Sequence, residues 1–173
     1  MSSSTATDGE MKVTLTSHEG TEIEVPLSVA KMSELVKTMV PTDDDEMTEI
    51  GSIPLPNVKT EVLTKVVEFC THYQESPMDA IEKPLKSGQI REVVGDEWYA
   101  SFVDVPQEML FELILAANFM NIQPLLDLTC ATVASLIKGK SPEEIRQCFN
   151  IVNDFSPEEE AQVREENKWC EEV

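Results

Sequence analysis

The chain has 173 residues, 41% of them hydrophobic and 27% charged, and its 33 acidic against 13 basic side chains leave a formal net charge of −20. That length suits one domain, or one domain with an appendage, since a chain of this size buries roughly 70% of its unfolded surface; the apolar content is too high for disorder throughout. Such a charge repels phosphate backbones and anionic lipid, which excludes nucleic-acid or membrane-surface binding by charge and favours basic partners.

Residues 1–10 have no basic start and no apolar run, so they are neither a secretory signal nor a transit peptide and read as a disordered tail. The segments 12–16 and 21–25 alternate strictly around Ser17-His18-Glu19-Gly20. That pattern predicts a β-hairpin with Val13, Leu15, Ile23 and Val25 facing the core. A short helix over 28–39 follows and ends before Pro41, and the five acids of 42–50 mark a solvated loop. Ile53-Pro54-Leu55 fits an edge strand, because its prolines cannot donate to a ladder. A helix from about 58 to 73, capped by Asn57, carries Val62, Val66, Phe69 and Tyr73 in one stripe.

Residues 75–97 hold two prolines and two glycines with little periodicity, the pattern of a long, disordered insertion. Four helices are predicted after it. Pro106 opens one that runs to about 119, and another spans about 123–138 and stops at Gly139. The last two both begin Ser-Pro-Glu-Glu, at Ser141 and at Ser156: a serine cap, proline at N1 and a glutamate at N3 to close a capping box.

Chemistry is harder to find. The two histidines are His18 in a turn and His72 near a helix end, both ordinary surface residues on this reading. Cys70 and His72 lie two apart on a helix and so point about 200° away from each other, which defeats a nucleophile–base pair. The acids Asp43-Asp44-Asp45-Glu46 lack the alternation and glycine of a calcium loop, and the six glycines form no phosphate cradle. No cofactor or metal is expected. Cys70, Cys130, Cys148 and Cys170 lie far apart, and without a signal peptide they read as reduced thiols in a cytosolic or nuclear protein.

Apolar surplus is the informative feature. On the helix after Pro106, Leu110, Leu113, Ile114 and Ala117 form one stripe, and Phe111, Leu115, Phe119 and Ile122 form a second about 130° away. Two stripes fit either a fully buried central helix or one that serves the core and a partner together. The C-terminal helix poses the opposite problem, for Ala161, Val163, Trp169 and Cys170 are too few for a core stripe. Trp169 therefore either folds back onto the domain or anchors a partner, a role in which tryptophan is enriched.

The segments IPLPNV (53–58), EFCTHY (68–73), LFELILAANF (110–119), LLDLTCATVASLIKGKSPEEIR (125–146) and FNIVNDFSPEEEAQVREENKWCEE (149–172) resemble the S-phase kinase-associated adaptor family of SCF (cullin–RING) ubiquitin ligases. The resemblance implies an α/β fold of BTB/POZ type, a small sheet flanked by helices over 11–138, with a two-helix F-box-binding extension over 139–173. It implies a non-catalytic adaptor that links the cullin N-terminal domain to F-box proteins, and through them a RING subunit and an E2 enzyme to substrate. Asn118 and Phe119 match the pair at the cullin contact, with Phe119 where the family usually has tyrosine. Leu110, Phe111, Ile114, Leu126, Cys130, Val133, Ile137, Phe149, Ile151, Trp169 and Cys170 match the F-box contact, and Trp98 and Phe102 match a Trp-x-x-x-Phe after the insertion. Other readings are an F-box-binding subunit of a non-ligase assembly, a BTB homodimer, and a Cys-dependent hydrolase using Cys170.

Overall fold

The computed structural model describes residues 11–40 and 51–170, with side chains through Trp169. The expected tail 1–10, the acidic loop 42–50 and the Cys170 side chain lie outside the described residues. The chain divides between Lys138 and Gly139 into two compact units.

Alternation in the first segments produces the predicted hairpin. Strands β1 (Lys12–Thr16) and β2 (Glu22–Pro26) run antiparallel, with Val13 opposite Val25 and Leu15 opposite Ile23. Val13, Leu15 and Val25 are buried, and Ile23 packs half-buried against the same core. Gly20, at φ +81°, supplies the left-handed residue that the turn requires. Strand β3 (Ile53–Pro54) adds parallel to β1, giving the order β2-β1-β3 and leaving the proline at an edge.

The predicted helix over 28–39 is two helices, α1 (Leu27–Ala30) and α2 (Glu34–Met39). Buried Ser33 breaks it: its hydroxyl accepts from the Val36 amide at 3.2 Å and donates to the Met120 carbonyl at 2.6 Å. A cap tied to a carbonyl 87 residues away leaves no trace in local periodicity.

Helix α3 (Thr60–Glu75) starts two residues later than expected, and Asn57 is not its cap. Glu19, from the hairpin turn, accepts from the Thr60 amide at 2.8 Å and from its hydroxyl at 2.7 Å. The Thr60 hydroxyl and amide together hold the Glu19 carboxyl down at about 2. A carboxyl depressed in the folded state stabilises above its unfolded value and loses that contribution as pH falls through the folded one. Glu19→Gln is therefore expected to flatten the decline of thermal stability as pH falls from 4.5 towards about 2, as followed by circular dichroism.

One face of α3 carries Val62, Val66, Phe69 and Cys70 into the core. Phe69 is fully buried, with ring centroids 5.7 Å from Tyr73, 5.8 Å from Tyr99 and 5.6 Å from Phe102. Phe69→Ala is expected to cost about 3–5 kcal/mol, since the surrounding rings cannot collapse into the space, and a denaturant titration reads this directly. His72 is not the surface histidine expected: half-buried, it stacks on Trp98 at 3.7 Å, and Trp98 stacks on Phe102 at 5.2 Å.

The insertion 75–97 carries one short helix and contacts with the rest of the first unit. Helix α4 (Ile90–Val94) lies within it and packs on a later helix, α7 (Gln123–Ile137). Met78, Ile81 and Leu85 are half-buried, and Lys83 Nζ reaches Asp127 of α7 at 3.0 Å. These anchors are irregularly spaced, so a search for periods passes over them. Helix α5 (Glu97–Phe102) follows, its amino end capped by Asp96.

Helix α6 (Gln107–Phe119) follows Pro106 and packs between α3 and α7. Helix α7 ends at Ile137, with Lys138 as its cap before Gly139 at φ +74°. In the second unit, α8 (Pro142–Phe149) and α9 (Pro157–Glu166) each start with the complete capping box that Ser-Pro-Glu-Glu predicts. Helix α9 stops at Glu166, short of Trp169 and Cys170, which the sequence pattern places on it, and a 3₁₀ turn covers Lys168–Cys170.

Candidate functional site

The two stripes on α6 have different fates. Leu110, Leu113, Ala116 and Ala117 are buried. Phe111 and Leu115 point outward, Leu115 with 64% of its surface exposed, so the helix carries apolar surface outside as well as towards the core. Exposed Asn118 falls within about 60° of both on the helix wheel and extends their face. Phe119 sits at its margin, half-buried against the core, and Ile114 is half-buried. The second stripe thus splits, with Phe119 and Ile122 turned to the core and Phe111 and Leu115 to the outside.

Helix α7 sorts its side chains in the same way. Leu125, Leu128, Thr129, Ala131, Thr132 and Ser135 are buried. Leu126, Val133 and Ile137 are half-buried and Cys130 is exposed, and these four fall within about 60° of one another on the wheel, away from the buried side. The hydroxyls of Thr129, Thr132 and Ser135 close onto backbone carbonyls of their own helix, which allows them inside. Beside this stripe opens a cleft of about 320 Å³, lined by Ile90, Val103, Val105, Leu110, Thr132 and Leu136. Leu110, matched above to a partner contact, is itself buried and lines that cleft.

The C-terminal unit inverts the usual order of inside and outside. Neither α8 nor α9 has a fully buried residue, while Ile151, Val152, Phe155, Val163 and Trp169 are exposed, Trp169 at 71%. Phe149 is half-buried. Capping boxes, turn hydrogen bonds and ion pairs hold this unit in shape. The Ser156 amide and hydroxyl hold the Glu159 carboxyl below its usual range. At the start of α8 the backbone amide does the same for Glu143, with Ser141 and Arg164 contributing less. Val152, Phe155 and Leu115 are partner-facing candidates that motif matching does not include; the available signal was the apolar run between two polar helices for the first two and the second stripe of α6 for Leu115.

The thiol of Cys70 is buried, and burial pushes it up to about 12, which removes it as a nucleophile. Among the described residues no group of three or more His, Cys, Asp or Glu is placed to hold a metal ion, and no helix is long and apolar enough to cross a membrane.

A small three-stranded sheet carrying helices, followed by a polar two-helix unit that exposes its apolar side chains, defines an α/β interaction module of POZ (BTB-like) type. The comparisons sharpen this. Residues 11–75 match the Skp1 family tetramerisation domain, and residues 123–170 match the Skp1 family dimerisation domain. An S-phase kinase-associated protein 1 homolog from Tetrahymena thermophila is 53% identical over 166 residues, covering 95% of this chain and 97% of the relative. A protein named E3 ubiquitin ligase complex SCF subunit sconC from Arthroderma benhamiae is 49% identical over 174 residues, with 98% and 99% covered. Its namesake from Aspergillus clavatus is 50% identical over 161 residues, with 92% and 98% covered. The chain belongs to the Skp1 family.

Proposed function

We propose that this chain is the non-catalytic adaptor of an SCF-type ubiquitin ligase, joining a cullin scaffold to interchangeable F-box substrate receptors. Family membership supports the assembly, and one structural observation carries the role: a C-terminal unit in which none of the described residues is fully buried exposes Ile151, Phe155 and Trp169. Side chains of that kind, flanking helices that build no core of their own, are what a partner's apolar surface completes.

In this reading residues 11–138 form the POZ-like domain and 139–173 the F-box-binding extension. The F-box receptor contacts the α7 stripe of Leu126, Cys130, Val133 and Ile137, and also Phe149, Ile151 and Trp169 of the extension. Leu110, Phe111, Ile114 and Cys170 belong to the same contact by their match to the family. The cullin N-terminal domain takes the α6 face, with Asn118 central and Phe119 behind it; the RING subunit and E2 are reached only through the cullin. Substrate choice then belongs to the F-box protein, and the work is done in cytoplasm and nucleus. Calorimetric titration of a recombinant F-box domain into the chain tests the reading: saturation at equal stoichiometry is expected, and no heat of binding contradicts it.

Self-association is a second reading, favoured by the outward Phe111 and Leu115 and by the dimerisation and tetramerisation domains that the chain matches. Concentration-dependent sedimentation of the free chain would show it, with Leu115→Lys abolishing it.

A further inference from the structure

Two helices without a fully buried side chain still need something to fix the angle between them, because apolar packing does not. Four charges occupy the facing edges of α8 and α9 in alternating sign. Glu143 Oε1 accepts from Arg164 Nη2 at 2.6 Å, Arg164 lies 4.0 Å from Glu160 in its own helix, and Glu160 Oε1 lies 3.5 Å from Arg146 Nη1. Each helix contributes one acid and one base, and both cross-helix pairs join opposite charges. Arg146 does more than pair. Its side chain is only 21% exposed, its guanidinium lies 5.8 Å from the centre of the Phe155 ring, and its carbonyl accepts from the Ile151 amide at 2.8 Å. One residue therefore touches α8, the 150–156 connection and α9. It also holds two of the three connection residues, Ile151 and Phe155 but not Val152, that expose apolar surface.

From this arrangement we infer that Arg146 is a positioning residue for F-box binding: with Glu160, and with Arg164–Glu143 beside it, it clamps α9 onto α8 and so presents Phe155 and Ile151 to the partner. The inference rests on the F-box reading above. An exposed ion pair adds little to stability in general. The clamp matters here because it acts on geometry: partner affinity depends on how much ordering has been done before binding. A free chain with a loosened clamp must order that hairpin at the moment of contact.

The test uses the full chain in two measurements. Hydrogen exchange of the α9 amides in the free protein is compared for wild type, Arg146→Glu, Glu160→Arg and the double exchange, alongside the affinity of each for a recombinant F-box domain. Each single change is expected to speed exchange in α9 and weaken binding on the order of tenfold, with the double exchange restoring both, since opposite charges again face each other. Loss of packing alone would not be restored by exchanging the charges. Wild-type affinity should also fall with added salt more steeply than that of Arg146→Met. Unchanged α9 exchange in both single variants, or failure of the double exchange to restore it, overturns the clamp. Failure of the wild type to bind any F-box domain overturns the adaptor reading instead, while the exchange rates still decide whether the clamp exists.

Discussion

Trp169→Ala lowers the affinity for an F-box domain by at least about thirtyfold and leaves the thermal midpoint of the free chain where it was. The two halves of that expectation have separate grounds. Trp169 is 71% exposed in a 3₁₀ turn beyond α9, so its removal opens no cavity and leaves no polar group unpaired. A large aromatic left in water, beside helices without a buried side chain, gains nearly all its burial on contact with a partner; truncation of such anchors typically costs about 2 kcal/mol or more, thirtyfold. Differential scanning calorimetry and a binding titration on the same preparations check both. A fall in the thermal midpoint would place Trp169 in the core. Fluorescence gives independent access, for the chain has two tryptophans and Trp98 is already stacked between His72 and Phe102. The spectral shift on binding is expected to vanish in Trp169→Ala and persist in Trp98→Phe.

Leu115→Lys with Asn118→Lys abolishes binding of the cullin N-terminal domain, at least about a hundredfold, and spares the F-box domain. Both side chains are exposed on one face of α6, so two ammonium groups there remain hydrated in the free chain and become costly only when a partner covers them. Phe119 is the wrong place for such a charge despite its match to the cullin contact. Its ring packs half-buried against the core, so a lysine there would disturb α6 and confuse lost contact with lost fold. Surface plasmon resonance with each partner in turn separates the outcomes. Loss of both bindings would mean a damaged helix, and retention of both would remove the α6 face from the cullin contact.

Where the deciding interactions are local, the fold was readable in the chain. The hairpin follows from alternation around Ser17-His18-Glu19-Gly20, and both Ser-Pro-Glu-Glu starts carry their caps, proline and N3 glutamate within four residues. The failures are non-local. Ser33 breaks a helix by bonding to Met120, and Glu19 takes the place of Asn57 at the start of α3; the Lys83–Asp127 pair of the insertion is equally remote in sequence. None of these has a period. His72 was misread for the same reason, because its stacking partner Trp98 lies in another helix. For the site, the doubled stripe on α6 and the sparse α9 were visible as surplus and deficit of apolar residues. Which half of each stripe stays outside was not, since Phe111 and Phe119 look alike until the neighbours of α6 are in place.

The most direct test of the adaptor account is multi-angle light scattering on size exclusion, with the purified chain mixed with an F-box domain and a cullin N-terminal domain. The account predicts one peak with the mass of one copy of each, because the cullin and F-box contacts lie on different residues. An F-box complex that excludes the cullin, or a chain that elutes apart from both, would contradict it.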